Sequence, residues 1–368
     1  MDKETCKPGI VIAGGGTGGH LFPGLAVAEA ILKLRPDAAI TVVGTGRPVE
    51  ARALAAKPYR YEVLATPRLE RSLHPANLFL PARLAWSILR AGAILRRAGA
   101  RLVIGTGGYG SAPVIVAAWL RRTPRMILEQ NIIPGLTNRL VARFANLAGL
   151  AFEGSRSWFP ERVKTVVTGN PIRDLGERGD GAAARRRLGL APDVFTVFVF
   201  GGSQGARRLV DAARGALDAL AGDRLQMVVQ TGDEAALAPP AAWTGRLVVR
   251  PFFDEIYDCY RAADVVVCRA GGGVAEVLAF GRPMILVPYP FAAHDHQSGN
   301  AVYLEQEGAA IVAEDAAFDG AAFARLVGEL MADDKRRETM ARASRELGRP
   351  DAARRVAGAA LDLAGLAL

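Results

Sequence analysis

The sequence predicts an α/β protein built of two tandem domains, each a parallel sheet covered on both faces by helices. Three observations carry that reading. Short β-branched or aliphatic runs alternate with helical patterns along nearly all of the 368 residues. The runs are apolar throughout rather than alternating, as strands buried on both faces must be. Two of them, Gly9–Ala13 and Thr196–Phe200, open directly onto glycine-rich loops about half a chain apart.

In chain order, the first series of strands comprises Ile10–Ala13, Ile40–Gly44, Tyr61–Leu64, Leu102–Gly105, Arg125–Leu128 and Thr165–Thr168. Between the third and fourth, Phe79 to Arg97 reads as one long helix whose core stripe is Leu84, Ile88, Ala91 and Leu95. Leu102–Leu120 is uncharged and approaches the length of a membrane span. Gly105, Gly107, Gly108, Gly110 and Pro113 break it instead into strand, turn and helix. Pro171, Gly176, Gly179 and Gly181 interrupt the periodicity between Thr168 and Asp193 and put the seam there. The second series is Phe195–Phe200, Gln226–Gln230, Arg246–Arg250, Val265–Cys268, Met284–Val287 and Ala309–Val312. Pro350 opens a last helix, Asp351–Leu363, whose docking partner the sequence does not reveal. The expected organisation is a Rossmann-like domain over 1–170, a second over 171–349 and a C-terminal helix over 350–368. A ligand cleft is expected between the carboxyl ends of the two sheets.

Composition excludes other classes. With 50% hydrophobic and 23% charged residues the chain is globular rather than disordered. Cys6, Cys259 and Cys268 give neither a metal-type pair nor an even disulfide set, which suits a reducing compartment. The first apolar run passes straight into a glycine loop, unlike a secretory leader. Net charge is +9, from 46 Lys+Arg against 37 Asp+Glu, and arginine dominates. That excess favours an anionic partner, although an Arg- and Ala-rich chain can simply reflect genomic base composition. No Lys/Arg run or aromatic RNP-type motif supports nucleic-acid binding.

Each glycine loop follows a strand and precedes a helix, the setting in which backbone N–H groups and a helix start bind phosphate. Neither loop is the dinucleotide fingerprint. Val43-Gly44-Thr45 puts no acid at the end of the second strand, and no G-x-x-x-x-G-K-[ST] occurs. His20 closes the first loop and, with a reference pKa near ~6.5, can accept a proton at neutrality. No Asp-x-Asp pair stands in a plausible loop; Asp333-Asp334 reads as solvated helix, and His294 with His296 and Asp295 lacks a third ligand.

A longer series of segments is more specific. Gly14-Gly15-Gly16-Thr17-Gly18-Gly19-His20 is followed by Gly105-Thr106-Gly107-Gly108-Tyr109-Gly110-Ser111, Glu129-Gln130-Asn131 running on to Asn138-Arg139, and Gly169-Asn170-Pro171-Ile172-Arg173. Gly201-Gly202-Ser203-Gln204-Gly205-Ala206, Arg269-Ala270-Gly271-Gly272-Gly273-Val274-Ala275-Glu276 and Asp295-His296-Gln297 complete it. In this order the segments closely resemble the MurG family, GT-B glycosyltransferases of peptidoglycan synthesis. The chain departs from that family where Ala270–Glu276 is one residue short and lacks its threonine. It departs again where Arg68-Leu69-Glu70-Arg71 replaces a Gly-x-x-Gly-Lys-Gly pattern.

The resemblance implies an inverting transfer of N-acetylglucosamine from UDP-GlcNAc to lipid I, undecaprenyl-pyrophosphoryl-MurNAc-pentapeptide, giving lipid II. It implies no cofactor and no metal, with the N-terminal domain holding the acceptor and the second domain the donor. His20 becomes the general base or an acceptor-binding residue, and Tyr109 an acceptor-side candidate. Thr17, Gly18 and Gly19 join the donor-binding set. Arg173 and the Ser203 hydroxyl would hold the diphosphate, and Glu276 the ribose hydroxyls. Asn131 and Gln297 offer amides to the sugar, and Phe253 aligns beside the uracil.

Phe79, Arg83, Trp86, Arg90 and Arg97 share a second stripe of the long helix. Arginines among aromatic rings suit an anionic membrane surface, or equally a solvated helix whose rings pack under a loop. A lipid-linked acceptor favours the membrane and a peripheral place on the cytoplasmic face of the inner membrane. Competing readings are a UDP-GlcNAc 2-epimerase or glycolipid synthase on the same architecture, and a non-catalytic cell-wall scaffold.

Overall fold

The computed structural model describes residues 7–66, 79–176, 179–202, 206–222, 224–232, 237, 240–292 and 295–367. The chain divides into two compact units, Met1–Asp174 together with Asp351–Leu368, and Leu175–Pro350.

The first unit contains strands β1 (Gly9–Ala13), β2 (Ala39–Gly44), β3 (Arg60–Val63), β4 (Ala100–Gly105), β5 (Arg125–Glu129), β6 (Leu147–Leu150) and β7 (Lys164–Val167). All neighbours are parallel, in the order β3-β2-β1-β4-β5-β6-β7. Ile10, Val11 and Ile12 are shut off from solvent, so apolar residues on both faces of β1 meet helices, as a continuous apolar run requires. The strand order reverses between β1 and β4, and that switch point leaves a crevice outside their carboxyl ends. Strand β6 escapes a reading of the sequence because Leu-Ala-Gly-Leu is short and holds a glycine. Gly149 is needed there: a Cβ would lie 2.7 Å from Met126 Cε and 2.9 Å from Leu128 Cδ2.

The helices of this unit are α1 (Gly18–Leu34), α2 (Pro48–Leu54), α3 (Leu80–Arg97), α4 (Ala112–Leu120) and α5 (Leu136–Val141). The uncharged stretch at 102–120 is accordingly part of β4, a turn, and α4. In α3 the buried positions are Ser87, Ala91, Ile94 and Leu95. Leu84, expected in the core, is exposed, because burial of the helix begins only at Ser87 and the turns before it have no buried position. The Ser87 hydroxyl is satisfied by donating to the carbonyls of Ala65 and Arg83.

The second unit holds α6 (Gly181–Arg187), β8 (Phe195–Phe200), α7 (Arg207–Ala216), β9 (Leu225–Gln230), β10 (Leu247–Arg250) and α8 (Ile256–Ala262). It continues with β11 (Val265–Cys268), α9 (Val274–Ala279), β12 (Met284–Leu286), α10 (His296–Gln306), β13 (Ala310–Val312), α11 (Gly320–Ala332) and α12 (Asp334–Leu347). Its parallel sheet runs β10-β9-β8-β11-β12-β13, with the same reversal between β8 and β11. Trp243, buried, fills the core and satisfies its indole by donating to the Leu217 carbonyl at 2.9 Å.

The last helix, α13 (Ala352–Leu363), belongs to the first unit. It packs on α1, and Val356, Ala357, Ala360 and Leu361 join the core formed by Ile10, Ile12, Val27 and Ile31. Arg35 Nη1 ties the segment down by donating to the Leu366 carbonyl at 2.6 Å. Among the described residues no helix is long and apolar enough to cross a membrane.

Candidate functional site

Both switch points carry the predicted glycine loops. In the first unit, the turns after β1 and β4 interlock. Gly14 N donates to the Val43 carbonyl and Thr106 N to the Ala13 carbonyl, while Thr106 Oγ1 donates to the His20 carbonyl at 2.7 Å. A Cβ on Gly14 would fall 1.7 Å from Thr106 Oγ1, so no other residue fits. Gly107 and Gly108 take φ of +96° and +73°, and Cβ atoms there would press on the His20 ring.

His20 is held by this arrangement. Its Nδ1 lies 3.1 Å from the Thr106 carbonyl, which can only accept, so Nδ1 carries a proton and donates there. Gln130 Nε2 donates to the same carbonyl at 2.8 Å. Tyr109 is half-buried, its ring next to Gly16. Thr17 caps α1 through its backbone carbonyl, which accepts from His20 N and Leu21 N. Thr17 and Gly19 are exposed and Gly18 is half-buried.

Two carboxylates that sequence reasoning gave no role organise this half. Glu50, on α2, is 0% exposed. Its oxygens accept from Gly16 N (2.7 Å), Thr45 N, Thr45 Oγ1, Gly46 N, Arg47 N and Tyr61 Oη. Arg47 Nη1 in turn donates to the Gly16 carbonyl. Burial opposes ionisation of Glu50, but the donors on Gly16, Tyr61, Thr45 and Arg47 outweigh it and hold the carboxyl below its ordinary range. The acid missing at the end of the second strand thus arrives from the following helix and fills the crevice itself. The one local sign of it is the Arg47-Pro48-x-Glu50 helix start.

Glu129, at the end of β5, is also buried. It accepts from Asn131 N and Nδ2, Gly135 N and Asn138 Nδ2. Here desolvation prevails over the donors, and the carboxyl is raised. Asn131 is therefore oriented by Glu129. Gly169 N donates to the Leu150 carbonyl, Asn170 is buried, and Arg173 is exposed on the segment that follows β7.

In the second unit Gly202 takes φ of +85° after β8; Ser203, Gln204 and Gly205 lie outside the described residues, as do His294 and 67–78. Across the switch point, Glu276 stands in the first turn of α9 and receives the Tyr260 hydroxyl on Oε2 at 2.8 Å. Asn300 Nδ2 holds the Ala270 carbonyl, and Gln297 Oε1 accepts from Tyr289 N. A Cβ on Gly271 would meet Gln297 Nε2 at 3.7 Å, so this amide sits beside the second glycine turn. Asp295, beside it, is a non-glycine residue at φ +53°, with Oδ1 accepting from Ser298 Oγ. Phe253 is only 3% exposed, edge-on to Phe198 and under the Arg250 guanidinium. Among the described residues, no group of three or more His, Cys, Asp or Glu could hold a metal ion.

Each unit thus gathers its share of the expected residues. His20, in the first turn of α1, stands with the loop residues Tyr109 and Asn131 at one sheet's carboxyl edge, and Glu276 and Gln297, in the first turns of α9 and α10, stand at that of the other. Residues 10–149 match the glycosyltransferase family 28 N-terminal domain and 196–356 the family's C-terminal domain. A protein of Desulforudis audaxviator is 38% identical over 93% of this chain and 95% of its own length. One of Geobacter sulfurreducens is 40% identical over 94% and 96%. Both are named UDP-N-acetylglucosamine–N-acetylmuramyl-(pentapeptide) pyrophosphoryl-undecaprenol N-acetylglucosamine transferase. The crystal structure of Acinetobacter baumannii MurG superposes with a TM-score of 0.75 at 26% identity, covering 96% of this chain and 98% of that one.

Proposed function

The chain belongs to the MurG family, within glycosyltransferase family 28, and from that premise we propose how its residues carry N-acetylglucosamine from UDP-GlcNAc to lipid I. It is a UDP-GlcNAc-dependent N-acetylglucosaminyltransferase that forms lipid II. The observation that carries this is identity of 38% sustained over 93% of the chain.

In the transfer, the acceptor hydroxyl oxygen bonds to C1 of the sugar as the bond from C1 to the UDP oxygen breaks. The hydroxyl proton passes to Nε2 of the neutral His20 ring, whose Nδ1–H donates to the Thr106 carbonyl. Tyr109 lies on the acceptor side, within the N-terminal domain of 1–170. The departing diphosphate is neutralised by Arg173, the Ser203 hydroxyl and the helix start at Thr17, Gly18 and Gly19. Glu276 accepts the ribose hydroxyls, Gln297 and Asn131 read the sugar, and Phe253 marks the segment beside the uracil. Glu276, Gln297 and Phe253 support 171–349 as the donor domain, with Asn131 and the Thr17–Gly19 helix start reaching the donor from the other domain. Labelled GlcNAc supplied as UDP-GlcNAc should appear on a short-chain lipid I analogue. Label released only as free sugar or epimer would sink the reading.

The enzyme acts peripherally at the cytoplasmic face of the inner membrane, through α3. Supporting this, Phe79 and Trp86 are 60% and 64% exposed, and Arg83, Arg90 and Arg97 are exposed with them. Leu84 and Leu89 add apolar surface at 39% and 67% exposure. Each arginine near an anionic surface contributes about 1 kcal/mol. Changing Arg83, Arg90 and Arg97 together to Glu should abolish sedimentation with anionic vesicles and leave turnover of a soluble acceptor intact. Unchanged sedimentation would return the helix to plain solvated surface.

A further inference from the structure

We propose that Tyr260 is a positioning residue of the donor half-site, fixing the plane of the Glu276 carboxylate and so setting discrimination between a ribose and a deoxyribose diphosphate. The inference rests on the assignment of Glu276 to the ribose hydroxyls made above. Tyr260 is 0% exposed on α8, inside a box of rings. Phe198 and Phe200 stand edge-on at 5.5 and 5.6 Å, with Phe280 at 5.5 Å and Tyr257 at 6.2 Å. The ring cannot turn without displacing these neighbours, so its hydroxyl is a fixed point. A buried tyrosine hydroxyl needs a partner. This one donates to Glu276 Oε2 at 2.8 Å, sixteen positions along the chain.

The mechanical argument concerns the glutamate. Its terminal torsion is broad and roughly two-fold, so a carboxylate at a helix start turns its plane readily. Simultaneous acceptance from the two neighbouring hydroxyls of a ribose requires one plane. An ionised carboxylate has about four acceptor positions, so accepting from Tyr260 is compatible with accepting from ribose hydroxyls as well. Burial and the adjacent Glu276 charge lift the phenol well above its ordinary value, which keeps it a donor at every working pH.

The test is Tyr260→Phe, which keeps every ring contact and removes one oxygen, with UDP and 2′-deoxy-UDP titrated by calorimetry. The expected result is UDP weakened about tenfold, 2′-deoxy-UDP much less, and KM for UDP-GlcNAc raised with kcat within about twofold. Glu276→Asp, which draws the carboxylate back from Tyr260, should reproduce the loss of discrimination. Adding Tyr260→Phe to Glu276→Ala should then cost nothing further. Equal weakening of both nucleotides, or no change in either, overturns the positioning role while Glu276→Ala still abolishes discrimination. If Glu276→Ala itself leaves the ratio unchanged, the carboxylate is not at the ribose and the assignment beneath the proposal fails.

Discussion

The two halves of this molecule use one scaffold and treat its defining crevice in opposite ways. Both sheets reverse order beside a glycine turn, and both bring a glutamate near that turn. In the first unit Glu50 is sealed in, and six donors converge on it, including the Gly16 N–H that a bound phosphate would otherwise occupy. In the second, Glu276 is only half-buried and accepts from the Tyr260 phenol. A Cβ on Gly15 would strike Glu50 Oε1 at 2.3 Å, so the glycine turn and the carboxylate pack directly against each other. Identical topology therefore carries two differently furnished crevices. In the first unit Glu50 braces the glycine turn at Gly16, and the same turn leads into the helix start that carries His20.

The largest effect should come from His20. His20→Ala is expected to lower kcat by about 10²–10⁴ with the donor KM nearly unchanged, as for loss of a general base. A donor KM that moved more than kcat would place His20 in donor binding and erase the contrast.

Next comes the Glu50 brace. Glu50→Gln offers one acceptor oxygen to donors that need a carboxylate, and should cost about 3 kcal/mol in denaturant unfolding. The acid limb should change as well. The folded-state carboxyl lies below its unfolded value, so its stabilisation is present above the unfolded pKa and lost as pH falls through the depressed folded one. The variant should lose that part of the wild-type acid sensitivity; an unaltered pH profile would mean Glu50 is not ionised in the fold.

Glu276→Ala should weaken UDP-GlcNAc by about 1.5–3 kcal/mol and spare the acceptor. A raised acceptor KM with an unchanged donor KM would reverse the roles of the halves. The smallest effect expected is from EDTA followed by magnesium. UDP affinity should stay within about tenfold, or ~1.4 kcal/mol, since backbone N–H groups, Arg173 and Ser203 are assigned to the diphosphate.

The strands and the glycine turns were legible because their signals are local. An apolar run before a glycine loop needs no knowledge of distant partners, and β8 and β11 fall on their expected bounds. The misses are non-local. Gly149 in β6 makes sense only beside Met126 and Leu128. Glu50 acquires its role from Gly16, thirty-four positions earlier, and no spacing rule links them. On α3 the period was right, but Leu84 shows that a helical stripe does not reveal where along its length the helix meets a neighbour. Of the expected site residues, His20, Asn131, Glu276 and Gln297 stand at the sheet edges with defined partners. Their helpers Glu129 and Tyr260 were passed over because burial cannot be read from a single side chain.

The return of α13 to the first unit makes the order of synthesis matter. Val356, Ala357, Ala360 and Leu361 close the core around Ile10, Ile12 and Ile31, yet they leave the ribosome after all of Leu175–Pro350. At about 5–20 residues per second, that delay keeps one apolar flank of α1 uncovered for roughly 10–35 s. The unit made first is therefore finished last. Its nascent form carries an open apolar groove of a kind that chaperones hold, and a fragment ending near Asp174 should collect in aggregates while the full chain does not.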